Sequence, residues 1–147
     1  MMRATLAMVL LVSAGLTGAA DARDSEYKLP INEVTQNPEF KARLGDAVVF
    51  RFGNGKMPAG AQSLGEFVTN KKTNSVGKPD EEACRWAMLS ALLELRERAE
   101  KEGGNAVVNI VSYYKKDTYS SPTEYECHAG GLIAGVALKG TVVKLRR

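Results

Sequence analysis

The sequence predicts an α+β domain in which one long helix packs on a mostly antiparallel sheet, in the order β-β-α-β-β-β, with a single disulfide. Three observations predict it. A helical stretch from Pro79 to Glu102 begins with Asp80, Glu81 and Glu82 and stops at Gly103-Gly104, which matches the signals for a helix start and end. Short β-branched and aromatic runs lie on both sides of it. One cysteine, Cys84, falls in the first turns of that helix and the other, Cys127, in an alternating run further on. A chain of 147 residues with 44% hydrophobic and 25% charged side chains holds one ordinary packed domain.

The elements follow in order. Residues 21–45 are polar, punctuated by Pro30 and Pro38, and read as an extended N-terminal arm. Within it, Asn37 to Gly45 has Pro38 placed for a first helical turn and Gly45 as terminator. The domain proper is expected over 46–147. Ala47 to Phe52 reads as a strand, closed by a turn at Gly53-Asn54-Gly55. Met57 to Leu64 reads as loop, Gly65 to Thr69 as a weaker strand, and Asn70 to Lys78 as a polar connection. Asn105 to Tyr114 is β-branched and aromatic, hence a strand. Lys115 to Pro122 reads as a hairpin loop and Thr123 to His128 as the returning strand. Ile133 to Leu138 and Thr141 to Leu145 form the last strand, bent at Gly140.

The long helix carries two apolar surfaces. Ala83, Cys84, Ala87, Met88, Ala91, Leu92, Leu95 and Ala99 fill one wide face suited to close packing on a sheet. Trp86, Leu89 and Leu93 form a second ridge on the far side. One sheet cannot cover both, so the ridge is covered by the N-terminal arm or serves as an interface to a second copy or another protein.

The first 20 residues have the order of a secretory signal peptide: Arg3 in a short positive start, an apolar run from Ala4 to Leu16, then small residues up to Ala20. The apolar run of about 13 residues is short of the ~20 needed to span a bilayer. Cleavage before Asp21 or before Arg23 satisfies the small-residue requirement. No later run is long enough for a membrane span, so the mature chain is expected in the periplasm without a transmembrane segment. In an oxidising compartment the two cysteines are expected to pair. The closed loop of about 44 residues makes that bond worth roughly 4 kcal/mol in the chain-entropy model.

Several chemistries find no support. A net charge of +3 gives no reason to expect nucleic-acid binding. No phosphate-cradling glycine loop, no H-E-x-x-H and no G-x-S-x-G is present. A single His and two Cys are too few for a closed zinc site. No catalytic residue, metal or cofactor is therefore assigned. His128 beside Cys127 keeps one alternative open: a metal- or ligand-binding or thiol-redox protein using Cys84, Cys127 or His128. Lys71-Lys72, Lys115-Lys116, Lys139, Lys144, Arg146 and Arg147 offer a mildly positive surface for anionic lipid or glycan.

Glu82-Ala83-Cys84 through Ala91-Leu92, Gly103-Gly104-Asn105-Ala106-Val107-Val108-Asn109-Ile110, Tyr125-Glu126-Cys127-His128-Ala129-Gly130 and Val136-Ala137-Leu138-Lys139-Gly140 resemble a group of small exported proteobacterial proteins often labelled "excinuclease ATPase subunit". That label conflicts with a chain that has a leader and lacks an ATP-binding motif. Over roughly residues 80–145 the succession of helix, G-G-N-A-V and strand is also similar to the sensor domain of the Rcs outer-membrane stress lipoprotein. It is similar too to small helix-plus-sheet proteins of the YbjQ type, which assemble as rings. The resemblance implies the fold and the Cys84–Cys127 bond. Sensor function does not carry over, because this chain has no lipid-accepting cysteine and can form one disulfide where the Rcs sensor has two. The expected function is a non-catalytic periplasmic interaction domain, with an envelope protein or a second copy as partner.

Overall fold

The computed structural model describes residues 23–146; the expected leader over 1–20 lies outside the described residues. Six strands and three α-helices follow one another: β1 (Ser25–Pro30), α1 (Asn32–Thr35), α2 (Pro38–Leu44), β2 (Val49–Phe52), β3 (Gln62–Asn74), α3 (Asp80–Lys101), β4 (Ala106–Ser112), β5 (Glu124–Ala129) and β6 (Ile133–Lys144). All strands join one curled sheet. Its ladder runs β1-β5-β6-β4-β2, and β3 pairs the other edge of β6 along its whole length. Every ladder is antiparallel except β2–β4.

The long helix packs through small side chains. Ala83, Ala87, Ala91 and Ala99 are fully buried, which lets α3 lie close against β6 and β3. Met88, Leu92 and Leu95 fill the remaining space against Val136, Leu138 and Val142. The opposite ridge is met by the N-terminal segment. Phe40 on α2 approaches the Trp86 ring edge-on at 4.8 Å, Arg43 lies over the same ring, and Leu89 is 1% exposed. Trp86 and Leu93 remain half-buried. Arg96 of α3 donates to the Arg43 and Leu44 carbonyls at the end of α2, satisfying groups that a helix C-terminus leaves open. The helix itself starts at the expected punctuation: Asn37 Oδ1 accepts from the Phe40 amide, Pro38 opens it and Gly45 closes it at positive φ.

Three expectations change. The 21–45 arm is not an appendage to a domain that begins at 46. Ile31, Val34, Phe40 and Leu44 belong to the main core, and Ser25–Pro30 is a sixth strand, paired with β5. Alternation decides it: Tyr27 and Leu29 pack against the core, while Glu26 and Lys28 sit on the other face. Second, the weak strand at 65–69 runs on through Asn74, because β6 offers it an unbroken antiparallel partner from Lys144 to Ile133; pairing overrides the low strand propensity of Asn70–Asn74. Third, β4 and β5 do not form a hairpin. They lie one after the other along the same edge of β6, and only an isolated bridge, Ser112–Tyr119, joins their connection. The chain leaves β4 through a turn at Tyr114–Lys116, where Lys115 and Lys116 adopt positive φ.

Cys84 and Cys127 are bonded to each other, with neither exposed. The bond ties the start of α3 to β5. With a sequence separation of 43 between the cysteines, replacing both by alanine is expected to lower unfolding stability by about 4 kcal/mol. Denaturant titration of the variant against the oxidised wild type measures this, and thiol assay of the denatured, unreduced wild type is expected to find no free sulfhydryl.

Candidate functional site

The helix-free face of the sheet carries a row of polar side chains. On strands, residues of equal parity share a face. The registers align Glu26 of β1 with His128 of β5, His128 with Gly135 of β6, and Gly135 with Lys72 of β3. This row runs across four strands. Tyr114, leaving the end of β4, lays its ring on the His128 imidazole, centroids 3.5 Å apart and planes 10° from parallel. Arg23, Asp24, Lys72, Tyr114, His128, Gly130, Ile133 and Gly135 line a shallow cleft of about 240 Å³.

His128 is held at both ring nitrogens. Nε2 lies 2.6 Å from Glu126 Oε1 and Nδ1 lies 3.1 Å from Asp24 Oδ1. A neutral imidazole donates one of these contacts, and the imidazolium donates both. Glu126 is 8% exposed and its other oxygen is 3.4 Å from Lys28 Nζ. Lys28 also pairs with Glu26 and lies over the Tyr119 ring. The Lys28 hydrogen bond, with its charge, holds the Glu26 carboxyl below its usual range. Burial works against the charged Lys28 ammonium, and Glu26 and Glu126 together outweigh it, so its pKa is raised. One ligand atom from each of Glu26, Glu126 and His128 falls within 4.8 Å of the others. That spacing suits a cation, and Lys28 already supplies one.

A second polar knot sits at the start of α3. Asp80 accepts from both terminal nitrogens of Arg23, at 2.6 and 3.0 Å, and from the Tyr27 hydroxyl at 2.7 Å. Arg23 also reaches the Gly130 carbonyl. Tyr27 stands opposite Cys127 in the β1–β5 ladder, so knot and disulfide fasten the same helix end to the same pair of strands. The hydrogen bonds from Arg23 and Tyr27 hold the Asp80 carboxyl down to about 2, and the same bond pushes the Tyr27 hydroxyl up.

The residues singled out from sequence do not form one site. Cys84 and Cys127 are sealed in the core, on the side of β5 that faces α3. His128 follows Cys127 directly and therefore points to the opposite face. Trp86 is met by Phe40 and Arg43 of α2, while Leu89 is buried in the core and Leu93 is half-buried beside it. The partners of His128 are readable only by parity: Glu126 and His128 share a face of β5, and Glu26 and Lys28 share a face of a segment whose polar residues and prolines predict an arm. Tyr114 reaches the imidazole because the chain turns out of β4, which composition does not reveal.

Because the folded carboxyl of Asp80 sits below its ordinary value of 3.8, the stability it contributes is complete above that value and is lost as pH falls through about 2. Asp80→Asn is expected to lower the melting temperature at neutral pH and to flatten its decline over that acidic interval, as followed by circular dichroism. No family model, no curated protein and no solved structure matches this chain.

Proposed function

We propose that the protein is an exported, non-catalytic binding domain that works at the cell envelope. The observation that carries this reading is an apolar tip. Val76, Leu132 and Ile133 are 57%, 72% and 49% exposed, and two backbone features bring them together: the Ser75 amide donates to the Leu132 carbonyl, and Asn74 pairs with Ile133. Large apolar side chains gathered at this level of exposure are the mark of a contact surface rather than of ordinary scatter. Lys72 and Lys78 flank the tip, which suits a partner with negative charge at its rim, such as an envelope protein or an anionic lipid surface.

Other features support the same reading. The leader-like order of residues 1–20 and the paired cysteines both suit an oxidising compartment. No described helix is long and apolar enough to cross a membrane. The resemblance to small exported proteins adds to this. The residues that would carry catalysis are engaged with one another: the sulfurs in a buried bond, His128 between two carboxylates, and Lys28 between Glu26 and Glu126.

The cluster of Glu26, Glu126 and His128 favours a second reading, a metal-binding protein. Zinc titration by calorimetry tests it. That reading requires stoichiometric binding that His128→Ala abolishes and Lys28→Ala strengthens, since Lys28 competes for the same oxygens. Absence of binding to the wild type ends it.

For the first reading, in vivo cross-linking followed by fractionation is the test. The wild type is expected to be captured with envelope components, and Leu132→Asp is expected to reduce capture several-fold with circular dichroism and the disulfide unchanged. Equal capture of the variant moves the contact away from the tip, and a wild type that is never captured overturns the reading.

A further inference from the structure

We propose that the free edge of β3 pairs with the β3 edge of a second copy, joining two sheets into one across a twofold axis at Thr69. Among the described residues β3 is bonded on one side only, to β6. With 13 residues it is far longer than the other two strands at the sheet's ends, β1 with six and β2 with four. An open strand of this length presents a row of unpaired amides and carbonyls, which is a template for strand addition unless something blunts it. The bulge at Ser63/Gly65 lies at the beginning of β3, and its register with β6 is regular from Gly65 to Asn74.

The side chains of that edge select both the partner and the register. A twofold axis perpendicular to the sheet keeps the two α3 helices on the same face, so only residues of equal parity meet. Centring the axis on Thr69 sets Glu66 of one copy opposite Lys72 of the other, twice by symmetry. Both are exposed, and neither forms an ion pair within its own chain among the described residues. The same register puts Val68, 55% exposed, opposite Asn70. On the helix side it sets Phe67 opposite Lys71. In each chain Arg98 stacks on Phe67 and Glu94 pairs with Lys71 at 2.6 Å, so Arg98 of one copy comes beside Glu94 of the other. A slip by two residues in either direction places Lys72 opposite Leu64 or Val68 and Glu66 opposite Asn70 or Asn74, and the complementarity is gone. Opposite charges directly across a strand pair stabilise it and mismatches do not, so one register is specified.

Lys72 is shared with the rim of the apolar tip, but the proposal rests on strand pairing and needs neither the exposed apolar side chains of the tip nor an envelope partner. Its test is a charge swap read by sedimentation velocity on the mature, oxidised protein over a wide concentration range. The wild type is expected to double its mass as concentration rises. Glu66→Lys and Lys72→Glu each place like charges opposite one another, and each is expected to stay at single mass. An equimolar mixture of the two variants restores both pairs, since each chain then supplies what the other lacks, and is expected to return to double mass. A wild type that keeps single mass up to its solubility limit overturns the proposal, and so does a dimer that survives in each single variant. Hydrogen exchange gives a second reading: amides between Leu64 and Asn74 are expected to gain protection with concentration. Protection gained in β1 or β2 instead overturns the β3 interface even where a dimer forms.

Discussion

The Cys84–Cys127 bond sets the position from which the rest of the molecule is built. It fixes the first turns of α3 over β5, and the direction of the helix then decides which strands its alanine face covers. Asp80, one turn earlier, repeats the attachment without covalency by gathering Arg23 and Tyr27. β1 is thereby drawn to the edge of β5, and the segment after it is carried round to the far side of α3, where Phe40 meets Trp86. A helix with two apolar surfaces needs a second layer, and the chain supplies it from its own beginning.

That arrangement separates two kinds of polar chemistry. Facing α3, the sulfur pair is bonded and fully buried. On the other side of the same strand, one residue further along, His128 lies in a half-wet row of charges whose members satisfy one another. Alternation along β5 is all that divides them. Proximity in sequence between Cys127 and His128 invites a reading of shared chemistry, and the strand geometry denies it.

Much of the architecture was legible, and the misses have physical causes. The bounds of α3, the turn of helix between Pro38 and Gly45 and the pairing of the cysteines rest on local signals such as helix punctuation, glycine freedom and thiol parity. Local signals survive without knowledge of neighbours. The length of β3 does not: Asn70–Asn74 has little intrinsic preference for a strand and becomes one because β6 pairs along all of it. The same holds for the route of β5: the chain turns out of β4 at Lys115 and Lys116 and then resumes the same direction along β6 instead of returning as a hairpin. The neighbours of His128 follow from β1, whose alternation of Tyr27 and Leu29 with Glu26 and Lys28 was present in the sequence but hidden in a segment dominated by polar residues and prolines.

The order of strands has a further consequence. β6 is the hub of the sheet, bonded to β3, β4 and β5 and covered by α3, yet it comes last of the described elements. β3 has no strand to pair with, and β5 is bonded to β1 alone, until β6 is in place. Sheet contacts of such wide sequence separation form slowly and together. The sheet therefore gains its order in one concerted step, when β6 becomes available to β3, β4 and β5 together.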